Sequence, residues 1–173
     1  MKYYTIITLF TICVLSGCSH GQPDNHTVLL QAERIMDQDP NKAMQLIYNM
    51  EVAQGEQLTG FVGNMEKTNL ESENDIALFG LLYTTAIHKI GLEIRNDSLI
   101  TNSVTFYQKK KDKTRLAKSL LHLGITHQSN NRWTDAVACL KQAEEMSSNI
   151  NDEVFHYDVY DAIGTLNEAA NCH

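Results

Sequence analysis

The sequence contains little proline and little positive charge. Only 2 of its 173 residues are Pro, and its formal net charge is -7 at pH 7. An acidic chain lacks the basic face that nucleic-acid phosphates require, which excludes nucleic acid as the expected partner. Because 43% of the residues are hydrophobic and 20% are charged, the composition is typical of one ordered globular domain.

Patterns that mark catalytic and metal sites are also missing. The sequence has no glycine-rich phosphate loop, no nucleophile elbow and no His-Glu-x-x-His zinc motif. His122 and His127 are five residues apart, which places their side chains about 140° apart on a helix, too far around to share one metal ion. We therefore expect no enzymatic activity, no cofactor and no metal ion.

A single long apolar run occurs, and it lies at the N-terminus. Lys2 precedes residues 3–14, which are apolar apart from threonines, as in a secretory leader, and the run is shorter than the roughly 20 residues that span a bilayer. It ends in Leu15-Ser16-Gly17-Cys18, which resembles the lipobox of bacterial lipoproteins. The resemblance implies a signal peptide at residues 1–17 and lipidation of Cys18.

The residues after Cys18 predict a tether and an address. Residues 18–25 are polar and include Gly and Pro, which favours a short flexible tether. Ser19 rather than Asp follows the lipidated residue, and its resemblance to the usual sorting pattern implies the outer membrane, facing the periplasm of the cell envelope. Two thiols, Cys139 and Cys172, then remain in an oxidising compartment, and a disulfide between them is left open.

Residues 26–173 are predicted to form one all-α domain. Apolar residues recur there at helical spacing, without the alternation of a β-strand. Turn signals separate seven helices, including a first at 27–38, a second at 40–52, a fourth at 98–110 and a last at 153–171. Asp112 is expected to cap the fifth helix, and Ser72 with Asp75 resembles a capping box for the third. Three glycines among polar residues predict an irregular connection at 53–71.

The fifth and sixth helices resemble a tetratricopeptide repeat. The residues that carry the resemblance lie within 117–150 and are Leu120, Leu123, Gly124, Trp133, Ala136, Leu140 and Ala143. The small members of this set allow two antiparallel helices to cross closely. The resemblance implies antiparallel helix pairs stacked as a short right-handed α-solenoid.

Weaker units flank this repeat. Forty residues after the first three of these positions, the sequence has Tyr160, Ile163 and Gly164, which start a unit that is incomplete. In the second and fourth helices, a small and a large residue take the places of Ala136 and Leu140: these are Ala43 with Ile47, and Ser103 with Tyr107. The repeat pattern therefore extends over most of the domain.

Repeats of this kind imply a scaffold that binds another protein. Positions left over from the predicted packing form one stripe on each of two helices. The stripe on the fifth helix is Lys118, Leu121, Ile125 and Gln128, and that on the last helix is Asp158, Asp161, Thr165 and Glu168. The second stripe is largely acidic, which predicts a partner with Lys or Arg. The last helix is also apolar on more than one side, which predicts self-association or the docking of a further helix there.

Two other functions compete with a free-standing scaffold. The chain stops one helix into a repeat unit, which leaves open an N-terminal sensory or regulatory fragment of a longer signalling protein with tetratricopeptide repeats. An envelope lipoprotein that assists polymer uptake would use aromatic residues for sugar binding, but Trp133, the single Trp, is assigned to packing. The scaffold is therefore the expected function.

Overall fold

The computed structural model describes residues 24–52, 70 and 72–171, and it contains helices and no strands over this part of the chain. The expected all-α fold is confirmed. The seven helices of the described part are α1 (Asn25–Ile35), α2 (Pro40–Val52), α3 (Glu73–Lys89), α4 (Ser98–Lys110), α5 (Lys113–Ser129), α6 (Trp133–Ser147) and α7 (Glu153–Asn171). The predicted signal peptide, Cys18, nearly all of the tether, Cys172 and the predicted connection apart from the buried Leu70 lie outside the described residues.

Local capping sets several helix starts. Asp112 accepts a hydrogen bond from the backbone N–H of Arg115 at 3.1 Å, so the predicted cap of α5 is confirmed. The predicted capping box of α3 is wrong, because the Ser72 side chain makes no capping hydrogen bond. The carboxylate of Asp75 instead lies 2.6 Å from Nδ1 of His26 in α1. A tertiary contact has thus replaced the local one.

The boundaries of most helices follow the sequence pattern closely. The ranges of α2, α4 and α7 agree with those expected. In contrast, α1 ends at Ile35, since the backbone N–H groups of Gln38 and Asp39 both donate to the Ile35 carbonyl as a turn. Asp39 then accepts from the N–H of Lys42 at 2.9 Å and starts α2.

The helices contact one another in a repeating order. Each helix packs against the next one in sequence, and α1, α3, α5 and α7 also contact each other in succession. Buried apolar residues form one cluster over α1 to α3, a second over α3 to α5 and a third over α5 to α7. The core therefore extends along the chain of helices.

The small and large positions of the repeat pattern are all buried. They are Ala43 and Ile47 in α2, Ser103 and Tyr107 in α4, and Ala136 and Leu140 in α6. The small residue of each pair lets a neighbouring helix approach, and the large one fills the space between the helices. The predicted close approach at Gly124 is confirmed, because a Cβ atom there would lie 2.8 Å from the side chain of Leu140.

Candidate interaction site

The predicted stripe on α5 is covered by other parts of the molecule. Leu121 is 1% exposed and belongs to the third core cluster, so its prediction as a partner-binding residue is wrong. Ile125 packs against the same cluster. Lys118 pairs with Asp152 at 2.7 Å, and Gln128 donates from Nε2 to the Ala162 carbonyl at 3.2 Å. The stripe was expected to be open, but α7 and the residues before it pack there.

The predicted stripe on α7 is open over most of its length. Asp161, Thr165 and Glu168 are exposed. The Thr165 hydroxyl donates to the Asp161 carbonyl within the helix at 3.0 Å. Asp158 is half-buried and accepts a hydrogen bond from Nζ of Lys89 at 2.7 Å. Three of the four predicted positions are therefore accessible to another molecule.

Two tyrosines lie beside this stripe, and most of the surface of each is exposed. Tyr157 is 70% exposed and Tyr160 is 61% exposed. Gly164 is exposed as well, and a Cβ atom there would meet no heavy atom within 4 Å from the described residues beyond its own stretch of helix. On a helix with 3.6 residues per turn, these residues share one side of α7 with the acidic ones. We call this side the α7 face: Glu153, Tyr157, Tyr160, Asp161, Gly164 and Glu168.

The opposite side of α7 supplies its packing. Phe155, Val159, Ala162 and Leu166 are buried in the third core cluster with residues of α5 and α6. The expectation that α7 is apolar on more than one side, with one side packed and another exposed, is confirmed by these burials. The exposed tyrosines are thus accessible on a helix that the core holds in place.

The α7 face carries negative charge. Helix α7 contains four carboxylates and neither Lys nor Arg, and three of the carboxylates, those of Glu153, Asp161 and Glu168, belong to the α7 face. Asp158, outside the face, is partly neutralised by Lys89. Positive charge on a ligand would therefore favour its binding to the α7 face.

Ion pairs cross the cleft where α1, α3, α5 and α7 come together. Nζ of Lys89 lies 3.2 Å from Asp37 and 2.7 Å from Asp158. Burial opposes the charge of Lys89, but the hydrogen bond and the charge of Asp158, with those of Asp37, raise its pKa. Nε and an Nη atom of Arg115 donate to the two carboxylate oxygens of Glu33 at 2.9 and 2.7 Å. The cleft is thus bridged by the protein's own side chains.

The space left in this cleft is small. Its cavity measures about 40 Å³ and is lined by residues such as Met36, Lys89, Leu121 and Phe155. Pockets for small organic ligands usually measure roughly 300–1,000 Å³. This cavity is therefore too small for a substrate-sized molecule.

A buried histidine pair lies next to the cleft, and sequence reasoning missed it. Nδ1 of His88 in α3 is 3.1 Å from Nδ1 of His122 in α5. The hydroxyl of Thr126 donates to the His122 carbonyl at 2.9 Å, so toward Nε2 of His88, 3.4 Å away, it acts as an acceptor. With the hydroxyl as acceptor, this geometry fits a neutral pair in which His88 is protonated on Nε2 and His122 donates from Nδ1 to Nδ1 of His88.

This arrangement keeps both rings neutral. Burial lowers the pKa of His88 to about 4. Burial also lowers the pKa of His122 well below its usual value, with further contributions from the charges of His88, Lys89 and Lys118. The sequence patterns placed His88 and His122 on different helices. The recurrence of histidine after 34 residues is the sequence signal that could have suggested the pair.

For two other residues, Trp133 and Cys139, the structure adds to what the sequence predicts. Trp133 was assigned to packing, and at the start of α6 it is 37% exposed, so its side chain is only partly covered. Cys139 is a half-buried free thiol whose pKa is raised by burial.

Among the described residues, no three His, Cys, Asp or Glu side chains are grouped so that they could hold a metal ion.

Comparisons with known proteins identify no relative. No family model, no curated protein and no solved structure matches the chain.

Proposed function

We propose that this protein is a lipid-anchored scaffold of the bacterial cell envelope that holds another protein through the α7 face. Cys18 would carry the acyl chains, and the helices would form antiparallel pairs stacked as a short right-handed solenoid similar to tetratricopeptide repeats. The outer membrane, facing the periplasm, is the proposed location. The sequence pattern at Leu15-Ser16-Gly17-Cys18 supports the anchor and Ser19 supports the location.

The repeating helix contacts support the solenoid. Consecutive helices pack together, and each odd-numbered helix also contacts the next odd-numbered one. Such contacts are expected when helix pairs stack in one direction. Gly124 supports close pairing of α5 with α6, because Leu140 occupies the space that a side chain would need.

The exposed α7 face is the observation that carries the binding function. Tyrosine combines a large apolar ring with a polar hydroxyl, and it is enriched among residues that contribute strongly to protein interfaces. Tyr157 and Tyr160 are both exposed on a helix whose opposite side is fixed in the core. A bound protein would cover these rings.

The size and composition of the native complex test this function. The full lipidated chain, extracted from its own membranes in mild detergent, is expected to sediment with a second protein. Changing Tyr157→Lys and Tyr160→Lys together should reduce the sedimenting species to the chain alone. Two rings that the partner would cover in the complex are then replaced by solvated charges. Lys141→Gln, on an exposed position of α6, is the matched control and should retain the complex. A parent that sediments alone, or a complex unchanged by the tyrosine changes, would overturn the proposal.

A further inference from the structure

Helices α5 and α7 present equivalent faces to different surroundings. The α7 positions Tyr157, Tyr160, Asp161 and Gly164 follow Ala117, Leu120, Leu121 and Gly124 of α5 by forty residues. The four α5 residues are all buried, whereas all four α7 residues are exposed. The same register of the helix is therefore covered in one case and open in the other.

The packing of α6 on α5 shows what kind of segment can bind such a face. At Gly124 the absent side chain leaves room for Leu140 of α6, whose side chain lies 2.8 Å from the place a Cβ atom would take. Leu140 is 1% exposed there. At Gly164, none of the described residues outside this stretch of α7 places a heavy atom within 4 Å of the corresponding position. The glycine allows one more helix to approach closely, as α6 does at Gly124.

The charge of the α7 face selects among possible occupants. Glu153, Asp161 and Glu168 lie on it, and α7 has neither Lys nor Arg to offset them. Two copies of this face would bring like charges together, which disfavours self-association through it. A helix with Lys or Arg beside an apolar stripe would pair with the carboxylates and cover the tyrosine rings.

We propose that the α7 face binds one basic amphipathic helix of a partner protein, which places a leucine-sized side chain over Gly164. This inference rests on the proposed scaffold function and specifies its docking site. The partner helix would take the position relative to α7 that α6 takes relative to α5. Apolar contacts with Tyr157 and Tyr160 would supply burial, and pairing with Asp161 and Glu168 would select for basic residues.

A synthetic peptide provides the probe. It has the sequence of residues 131–150, which contain α6, with the exposed carboxylates changed by Asp135→Lys, Glu144→Lys and Glu145→Lys. The same peptide without these changes is the charge control. We expect the basic peptide to bind the full lipidated chain in detergent, measured by fluorescence anisotropy, and to bind about tenfold more tightly than the acidic control.

Two variants of the protein locate the binding. Gly164→Leu should weaken binding of the basic peptide about tenfold or more, because the side chain fills the approach that the partner needs. Its thermal unfolding midpoint should not fall below that of the parent, since the position is open and leucine favours a helix more than glycine does. Asp161→Lys with Glu168→Lys should weaken binding to a similar extent, and Lys141→Gln should leave it unchanged.

Equal binding of the basic peptide to the parent and to Gly164→Leu would overturn the inference, as would preference for the acidic peptide. A parent that forms a dimer, which Gly164→Leu dissociates, would make a second copy the occupant and would overturn it too. A native complex with a second protein that survives Gly164→Leu would leave the scaffold function standing and remove only this docking site.

Discussion

Cys18→Ala is expected to abolish incorporation of labelled fatty acid and attachment through lipid. The lipid is joined to the protein through the sulfur of Cys18 in the proposed anchor, and alanine has no atom that could form that bond. Within the described residues, no helix is long and apolar enough to cross a membrane. In the proposed anchor, more than one acyl chain is needed for stable attachment.

Metabolic labelling of the full chain with a radioactive fatty acid measures this effect. Cys13→Ala is the matched control, because this cysteine belongs to the predicted signal peptide, and it should leave labelling unchanged. Cys18→Ala should show no label, and the chain should keep the uncleaved leader. Label that persists in Cys18→Ala would contradict the anchor and would point to another attachment site.

Acidification from pH 7 to pH 5 is expected to lower the free energy of unfolding by about 4 kcal/mol through the His88 and His122 pair. In the folded protein, burial holds the pKa of His88 at about 4 and that of His122 well below its usual value. In the unfolded chain both have a pKa of about 6.5. Between pH 6.5 and pH 4, the unfolded chain therefore binds protons that the folded chain does not, and stability is lost as the pH falls.

The loss approaches about 1.4 kcal/mol per pH unit for each histidine. The charged groups that face the pair, Lys89 and Lys118, are positive and disfavour protonation further. Asp152 also has a lowered pKa, with burial opposing the shift and Lys118 favouring it. A carboxylate of this kind affects stability only at lower pH, so the range from pH 7 to pH 5 separates the histidines from it.

Urea unfolding at pH 7, 6 and 5 tests the effect. The control carries His88→Gln and His122→Gln, because two amides can keep a hydrogen bond between the helices but do not titrate. Each protein is compared with its own stability at pH 7. The parent should lose about 4 kcal/mol more than the control over this range. Identical pH dependence in the two proteins would mean that the buried pair does not remain neutral.

Local sequence signals predicted the helices well. The Asp112 cap of α5 depends on residues within one turn, and the bounds of α4 follow from an apolar pattern between turn residues. Gly124 was also predictable, because the order of large and small residues around it implies a helix crossing. These features require information from one helix or from two neighbouring ones.

Features that depend on more distant contacts were missed or mispredicted. The sequence periodicity left Leu121 available for a partner, but α7 and α6 complete a cluster that buries it. The carboxylate of Asp75 was expected to serve its own helix, but the His26 ring from α1 lies within hydrogen-bond distance. The pairing of His88 with His122 likewise requires the positions of α3 and α5 in space. A periodic pattern on one helix does not specify which other helix covers it.

The α7 face could be predicted only in part. Its acidic character and its excess apolar residues were evident from the sequence of α7, because four carboxylates occur there without Lys or Arg. The side of the helix that remains exposed was set by the packing of Phe155 and Val159 into the core. That packing places Tyr157, Tyr160 and Gly164 together in solvent, which the stripe of polar positions alone had not included.

Site-specific photo-crosslinking in cells that produce the protein naturally tests the central claim most directly. A photo-crosslinking amino acid replaces Tyr160 on the α7 face in one strain and Lys141 on α6 in another, both in the full chain. We expect an adduct at position 160 with a helical, Lys- or Arg-containing segment of a second protein. This adduct should be lost when Gly164→Leu is added, and no such adduct should form at position 141. Absence of an adduct at position 160, or equal adducts at both positions, would contradict a scaffold that binds its partner through the α7 face.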